Sequence, residues 1–549
     1  MTETARSGER RAAIAIGAAV FIAGAVLLGL ELAASRVLAP YFGSSLFVWG
    51  ALIGVVLAGL SLGYWAGGAA ADRYPAPRLL LGALVSASLL VLAIPYMDAR
   101  ALEWVVEWDP GPRADPLVAT ILLFGAPSVI LGSVTPIAVR LRARSLERLG
   151  RTAGRLFAVS TAGSIAGTFA TAFWLIPELG TDQLLASAAV ALMLAAAAVA
   201  VAERAPAALA VALAAAGLMT APVFALAPET GGRLAGNQLR NWSPLYRLQE
   251  EAGRQTGDPG AASRDAGFRI VHAKDTRYHR LVVADDSDTR YLRFDSSFQS
   301  AMYLGDPFRT RFQYTDYLDL GLAYAPGARS VLFIGLGGGS APKRMWRDFP
   351  ELRLQVVELD PDVVRVAYRY FELPQDDRLA VEVEDGRRYL ASHDERWDVI
   401  VVDAFYSDAI PFHLATREFL ELARARLEPG GVVVTNVIGA LSGDQSRLLR
   451  SIVRTYRAVF PTVAVHPVFR RFDSDPDMIR NVILVATDGA APSKAFLAER
   501  WAEVRKGAPG APNLGAAIRA RWDRPLATAD VPVLTDDYAP TDALLLLFG

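Results

Sequence analysis

The chain has 549 residues, 56 basic against 57 acidic, a net charge of −1 and no cysteine. That balance gives no field to attract nucleic acid, and it excludes disulfides, thiolate metal ligands and a cysteine nucleophile. Its five histidines (His272, His279, His393, His413, His466) show no metal-ligand spacing, so no metal is expected.

The first 226 residues are mostly Ala, Leu, Val, Gly and Ile, which lifts mean hydropathy to +0.27. A bilayer core of ~30 Å needs about 20 helical residues. Seven runs qualify: Ala12–Ala34, Phe47–Ala66, Leu79–Tyr96, Leu117–Val139, Leu156–Ile176, Leu184–Val201 and Ala207–Leu226. The expectation is a multi-span helical membrane domain over residues 1–226. The first run is too long for a cleaved leader, and more follow it. Arginines mark one side: Arg6, Arg10 and Arg11, then Arg73 and Arg78, then six between Arg140 and Arg155. The intervening loop holds Asp98, Glu103, Glu107, Asp109 and Asp115. Basic loops stay in the cytoplasm, which puts the N-terminus there. With seven spans, everything beyond Leu226 falls outside. Glu31 and Arg36 close the first span, either as an interfacial end with a snorkelling arginine or as a buried pair. "GGAAADRYPAPR", Gly67 to Arg78, resembles the loop between spans two and three of major facilitator transporters.

Residues 227–267 are rich in Gly, Pro, Arg and Gln without a period and read as a linker. Short alternating runs follow, "RIVHA", "HRLVVADD" and "TRYLRFDSS", which predict a small antiparallel β-subdomain over 268–325. From 326 to 549 apolar runs ("SVLFIG", "LQVVELD", "AVEVED", "DVIVVDA", "GVVVTNV") alternate with amphipathic helices. This is the pattern of a parallel sheet covered on both faces, an α/β Rossmann-like domain. Ligands on such sheets lie beyond the C-terminal strand ends.

Four strand ends carry the chemistry. The first holds Gly335, Gly337 and Gly339, where the absence of Cβ lets backbone approach a nucleoside. The second ends in Glu358, placed to accept from both ribose hydroxyls, and the third in Asp385-Gly386, placed to accept from an adenine amino group. The fourth ends in Asp403, near the reactive end. Four strand ends carrying Gly-x-Gly, Glu, Asp and Asp in this order suggest an adenosine ligand without pyrophosphate: S-adenosylmethionine or a relative.

These segments resemble spermidine synthases, the aminopropyltransferases. "VLFIGLGGGS", "VVELDPDVV", "VEVEDGRRYL" and "WDVIVVDAF" follow the order of that family's nucleoside-binding segments. "TRYHRL", "FDSSFQ" and "YTD" resemble its S-x-Y-Q, L-D-G-x-x-Q and Y-H-E segments, which adds Tyr278, His279 and Gln299 to the nucleoside site. "RVLAPYFGSSLFVWG", "DAIPFHLATREF" and "LTDDYAP" resemble the membrane-fused bacterial subgroup, which implies a multi-pass protein of the bacterial inner membrane. Departures fall on the amine side. Gly338 stands where the family has an acid for the aminopropyl nitrogen, His279 stands for Gln, Thr315 for His, and the second acid of D-x-x-D lies five residues on, at Asp408.

The resemblance implies transfer from decarboxylated S-adenosylmethionine, or S-adenosylmethionine itself, to an amine. Asp403 is then the base, Tyr314 its orienting partner and Asp408 a second amine anchor. Structural alternatives are a helix cap for Asp403, a solvated loop acid for Asp408 and core packing for Tyr314. Two other functions compete: a methyltransferase acting on a lipid or small molecule, and a non-catalytic nucleoside-binding transporter-like protein. The expected partners are a small amine or a lipid, the membrane and a second copy in a homodimer, with no nucleic acid.

Overall fold

The computed structural model describes residues 3–42, 46–108, 110–111, 113–143, 146–179, 181–203, 269–295, 297–405, 410–469 and 475–544. The seventh apolar run, Ala207–Leu226, the linker 227–267 and Asp408 lie outside the described residues. The chain divides into two units, residues 1–242 with 272–280, and residues 243–271 with 281–549.

Among the described residues of the first unit, six helices are long and apolar enough to cross a membrane: α1 (Glu9–Ala39), α2 (Phe47–Arg73), α3 (Pro77–Trp108), α4 (Ala114–Arg142), α5 (Arg148–Leu175) and α6 (Thr181–Ala202). Small residues set two of their contacts. A Cβ on Gly63 would lie 2.2 Å from the Val129 carbonyl oxygen, which joins α2 to α4. Cβ atoms on Gly163 and Gly167 would lie 2.0 and 2.1 Å from the carbonyl oxygens of Phe21 and Ala25, which joins α5 to α1. Glycine lets the backbones touch where apolar surroundings offer no hydrophobic drive. Asp72 at the end of α2 pairs with Arg140 at the end of α4 at 3.1 Å. α4 and α5 each contain one π turn, Ile121–Gly125 and Thr171–Leu175. The segment 272–280 belongs to this unit. Asp275 accepts from the Thr181 N–H and hydroxyl at 2.7 and 2.9 Å and pairs with Arg280 at 3.2 Å. Arg36 donates to the Arg277 carbonyl at 2.7 Å.

A five-stranded meander follows along the chain, β1 (Arg269–Asp275), β2 (Arg280–Asp285), β3 (Thr289–Phe294), β4 (Ser297–Tyr303) and β5 (Asp306–Thr310), in that order, and from Leu281 onward it belongs to the second unit. Leu281, Val283, Leu292, Phe294 and Met302 form one face and pack against Val363, Val366 and Phe371. Two short helices follow, α7 (Tyr314–Tyr317) and α8 (Leu320–Tyr324). Next come β6 (Ser330–Ile334), α9 (Ser340–Asp348), β7 (Arg353–Glu358), α10 (Pro361–Tyr370), β8 (Leu379–Val383), α11 (Gly386–Ser392), β9 (Trp397–Val402), α12 (Arg417–Ala425) and β10 (Leu427–Gly439). The chain ends with α13 (Arg447–Val459), β11 (Thr462–Pro467), β12 (Arg480–Thr487) and α14 (Lys494–Gly507) among its longer elements.

The large sheet runs β11-β12-β10-β9-β6-β7-β8. Alternate residues feed two cores. Val331, Phe333, Val399, Val401, Val432 and Val434 face one, and Leu332, Ile334, Ile400, Val402 and Val433 the other. Burial on both faces is why these strands read as continuous apolar runs. The sheet is mixed rather than wholly parallel, because β12 runs antiparallel to both β10 and β11. Order reverses at β6, which has β7 on one side and β9 on the other. The glycine turn therefore leaves the sheet at its switch point, where α/β folds bind ligands.

Candidate active site

β6 is wholly buried and stops at Gly335, where φ is +100°. A Cβ there would lie 2.4 Å from the Asp403 carbonyl oxygen, so the first turn and the end of β9 are in direct contact. Gly337 and Gly339 also take positive φ, and Gly339 caps α9 in the left-handed region. Gly338 lacks a positive φ but has no room. Its Cβ would meet the Phe371 ring at 2.9 Å and Ser300 Cβ at 3.0 Å, and its N–H donates to Ser300 Oγ at 2.8 Å. Ser300 follows Gln299 on β4, which brings that strand against the turn.

Glu358 is buried at the end of β7. Its two oxygens accept from the N–H groups of Leu336 and Asp360, each at 2.9 Å. Burial pushes its carboxyl up, opposed by these amides and that of Gly337. Glu358 therefore braces the glycine turn as well as standing where ribose hydroxyls are expected. Asp385 caps α11, accepting from the Arg388 N–H at 2.9 Å. Its other oxygen meets His413 Nε2 at 3.1 Å, and this bond holds its carboxyl below the usual range. Gly386 is glycine because a Cβ would lie 2.3 Å from the Ile334 side chain at the end of β6.

Asp403 follows β9. The Asn436 amide donates to it at 2.9 Å, the Tyr314 hydroxyl donates as well, and burial pushes its carboxyl up to about 6. Burial and the Asp403 charge push the Tyr314 phenol well above its ordinary value. The Asn481 side-chain amide on β12 in turn donates to Asn436 Oδ1 at 3.1 Å. A buried carboxyl pushed up to about 6 suits proton acceptance.

Tyr314 is held from the glycine-turn side. Arg344 on α9 donates to both oxygens of buried Asp319 at 2.8 and 2.7 Å and to the Thr315 carbonyl at 3.2 Å. Asp316 lies beside it, 3.9 Å from the guanidinium and bonded to the Thr310 hydroxyl at 2.5 Å.

Gly335, Gly337, Gly339, Glu358, Asp403 and Tyr314 thus gather around one turn, with Asp385 and Gly386 joined to it through Ile334. Tyr278 and His279 lie in the turn after β1, in the helical unit, where their N–H groups donate to Thr276 Oγ1 at 3.1 and 3.2 Å. Among the described residues no three His, Asp or Glu side chains form a set able to hold a metal ion. Sequence reading missed Asn436, Asn481, Ser300 and Arg344. Asn436 was findable, since "GVVVTNV" places a polar side chain near the end of the next strand. The others depend on which strands become neighbours.

Residues 312–469 match the spermine/spermidine synthase domain. A polyamine aminopropyltransferase of Vibrio vulnificus is 30% identical over 290 residues, 50% of this chain and 91% of that protein. An N-terminal histidine N-methyltransferase of Emericella nidulans is 27% identical over 251 residues, 42% of this chain and 44% of that one. Among solved structures, a probable spermidine synthase from Corynebacterium glutamicum aligns with TM-score 0.37 and 23% identity, over 48% of this chain and 99% of its own. Similarity across nine-tenths of an aminopropyltransferase, with the domain match lying over the glycine turn, Glu358, Asp385 and Asp403, makes this chain a transferase that belongs to the spermidine synthase family.

Proposed function

We propose that the chain is a membrane-bound transferase that moves an aminopropyl or related alkyl group from a sulfonium nucleoside to an amine. The observation that carries this is the buried Asp403, held by Tyr314 and Asn436 directly beside the glycine turn. The donor is decarboxylated S-adenosylmethionine or a close relative. Its ribose would lie at Glu358 and its base at Asp385. The acceptor nitrogen attacks the carbon next to sulfur, the C–S bond breaks, and sulfur keeps the electron pair as a neutral thioether. The leaving group needs no acid. The nitrogen must shed a proton, and Asp403 is the acceptor, with the Tyr314 hydroxyl fixing its orientation. Asp408 is assigned as a second amine anchor by the resemblance alone. The six long apolar helices support a membrane location, and an amine dissolved in or near the bilayer is the natural acceptor class.

Methyl transfer is the second reading. Gly338 favours it, because a site without an acid there does not repel the carboxyl of intact S-adenosylmethionine. The likeness to an N-methyltransferase points the same way. Product identity separates the two. Purified protein is incubated with each donor and a panel of amines, and the nucleoside product is identified by mass spectrometry. Methylthioadenosine is the expected product; S-adenosylhomocysteine would replace the aminopropyl reading with methyl transfer.

A further inference from the structure

"DAIPFHLATREF" and "LTDDYAP" stand more than a hundred residues apart, yet the structure joins them beside the third strand end. His413 reaches Asp385 through Nε2 at 3.1 Å. Arg387, two residues after Asp385, donates to the His413 carbonyl at 3.1 Å and to both oxygens of Asp536 at 2.7 and 2.6 Å. The segment carrying Asp536 is itself tied down. The Leu534 carbonyl accepts from the Arg417 N–H at 2.9 Å, the Asp536 N–H donates to Glu418 at 3.0 Å, and Thr535 and Tyr538 exchange two backbone bonds at 3.0 Å.

We propose that residues 534–538 are part of the nucleoside site: Asp536, through Arg387, seats His413, and His413 positions Asp385 to accept from the exocyclic amino group of a purine. The inference rests on the reading of Asp385 as the base-recognising acid. An exposed ion pair contributes little by itself. This one is bidentate, which fixes geometry, and it closes a circuit of bonds from the C-terminal segment to the carboxylate. The Arg387 and Arg388 N–H groups and His413 all engage the Asp385 carboxylate, so it cannot swing away, and its roughly four acceptor lone pairs are not all spent. Its side chain is about one-third exposed, at 32%, so those lone pairs are reachable. A carboxylate held in this way selects an amino group over a carbonyl oxygen at the same ring position. His413 and Asp536 are positioning residues, acting on the base through Asp385.

The test uses the full chain in detergent and calorimetric titration with methylthioadenosine and with methylthioinosine, which carries an oxygen in place of the amino group. Wild type should prefer methylthioadenosine. His413→Ala and Asp536→Asn should each weaken methylthioadenosine binding by about tenfold, the scale of one hydrogen bond, and shrink the preference between the two bases. His413→Gln, which can still donate, should recover most of the preference. A purely structural role would lower the melting temperature without changing the ratio between nucleosides. Unaltered ratios in folded His413→Ala and Asp536→Asn proteins overturn the proposal while leaving the nucleoside site intact. Wild type binding neither nucleoside overturns the nucleoside reading and this inference with it.

Discussion

As the proposed base, Asp403 has to be ionised to accept a proton, and burial pushes it up to about 6. The acid is protonated below that pH, so kcat/KM should rise as pH climbs through about 6 and level off above it. The Asn436 bond pulls the value down, so Asn436→Ala should move this limb to higher pH. Asp403→Asn should lower kcat by about 10²–10⁴-fold without unfolding the protein, the usual scale for a positioned base. A pH–rate series on the three proteins measures all of this; a limb unmoved by Asn436→Ala would detach Asp403 from the rate. Gly338 behaves differently from a simple vacancy for an acid. Phe371 is fully buried and stands 2.9 Å from the Cβ that any substitution would add. Gly338→Asp should therefore destabilise the protein by about 1–3 kcal/mol, the scale of overpacking, in addition to any change of donor preference. Thermal melts of the variant check this.

At the scale of elements, the short helix carrying Tyr314 depends on a buried ion pair. Asp319 and Arg344 are both nearly inaccessible, with side-chain exposures of 0% and 3%. Removing one partner leaves a buried charge, so Asp319→Ala should cost about 3–5 kcal/mol. Replacing both, Asp319→Leu with Arg344→Met, should recover much of that loss. Denaturant melts of single and double variants decide it, and equal losses in both would assign the effect to shape instead of charge. In the helical unit the contact of α5 with α1 rests on Gly163 and Gly167 lying against backbone oxygens. Gly163→Leu should force the pair apart and lower the melting temperature in detergent far more than Gly17→Leu, where a Cβ meets nothing within 4 Å.

For the whole molecule, the helical unit has two chemically different ends. One carries Arg73, Arg140 and Arg148, together with the Asp72–Arg140 pair. The other carries Asp98, Thr181 and the segment 272–280, fixed by the bonds of Asp275 to Thr181. Arginine-rich loops stay in the cytoplasm. A cysteine-free chain lets single cysteines report topology without background. In intact cells, cysteine at Arg148 or Glu203 should resist a membrane-impermeant maleimide, and cysteine at the exposed Arg277 should react. Labelling at Arg148 with protection at Arg277 would invert the assignment. The Arg277 result also states on which side the chain leaves the helical unit at Arg280.

Composition and period alone separated the two materials of this chain, because apolar helices of about 20 residues and short apolar strands alternating with amphipathic helices are different patterns. The strand-end rule pointed to Gly335, Glu358, Asp385 and Asp403 as candidates, since a parallel sheet presents its C-terminal ends together wherever the strands lie. It could not show that Glu358 braces the glycine turn, that Phe371 and Ser300 fill the space beside Gly338, or that β12 runs antiparallel. Those follow from which surfaces meet, and no local pattern encodes that. Asn436 and Asn481 come from strands that become neighbours only in the folded sheet, and Arg344 reaches Asp319 only once α9 packs beside the helix of Tyr314. His413 and Asp536 stood in quoted motifs, yet their meeting at Arg387 spans more than a hundred residues, and only tertiary structure brings such groups within hydrogen-bonding reach.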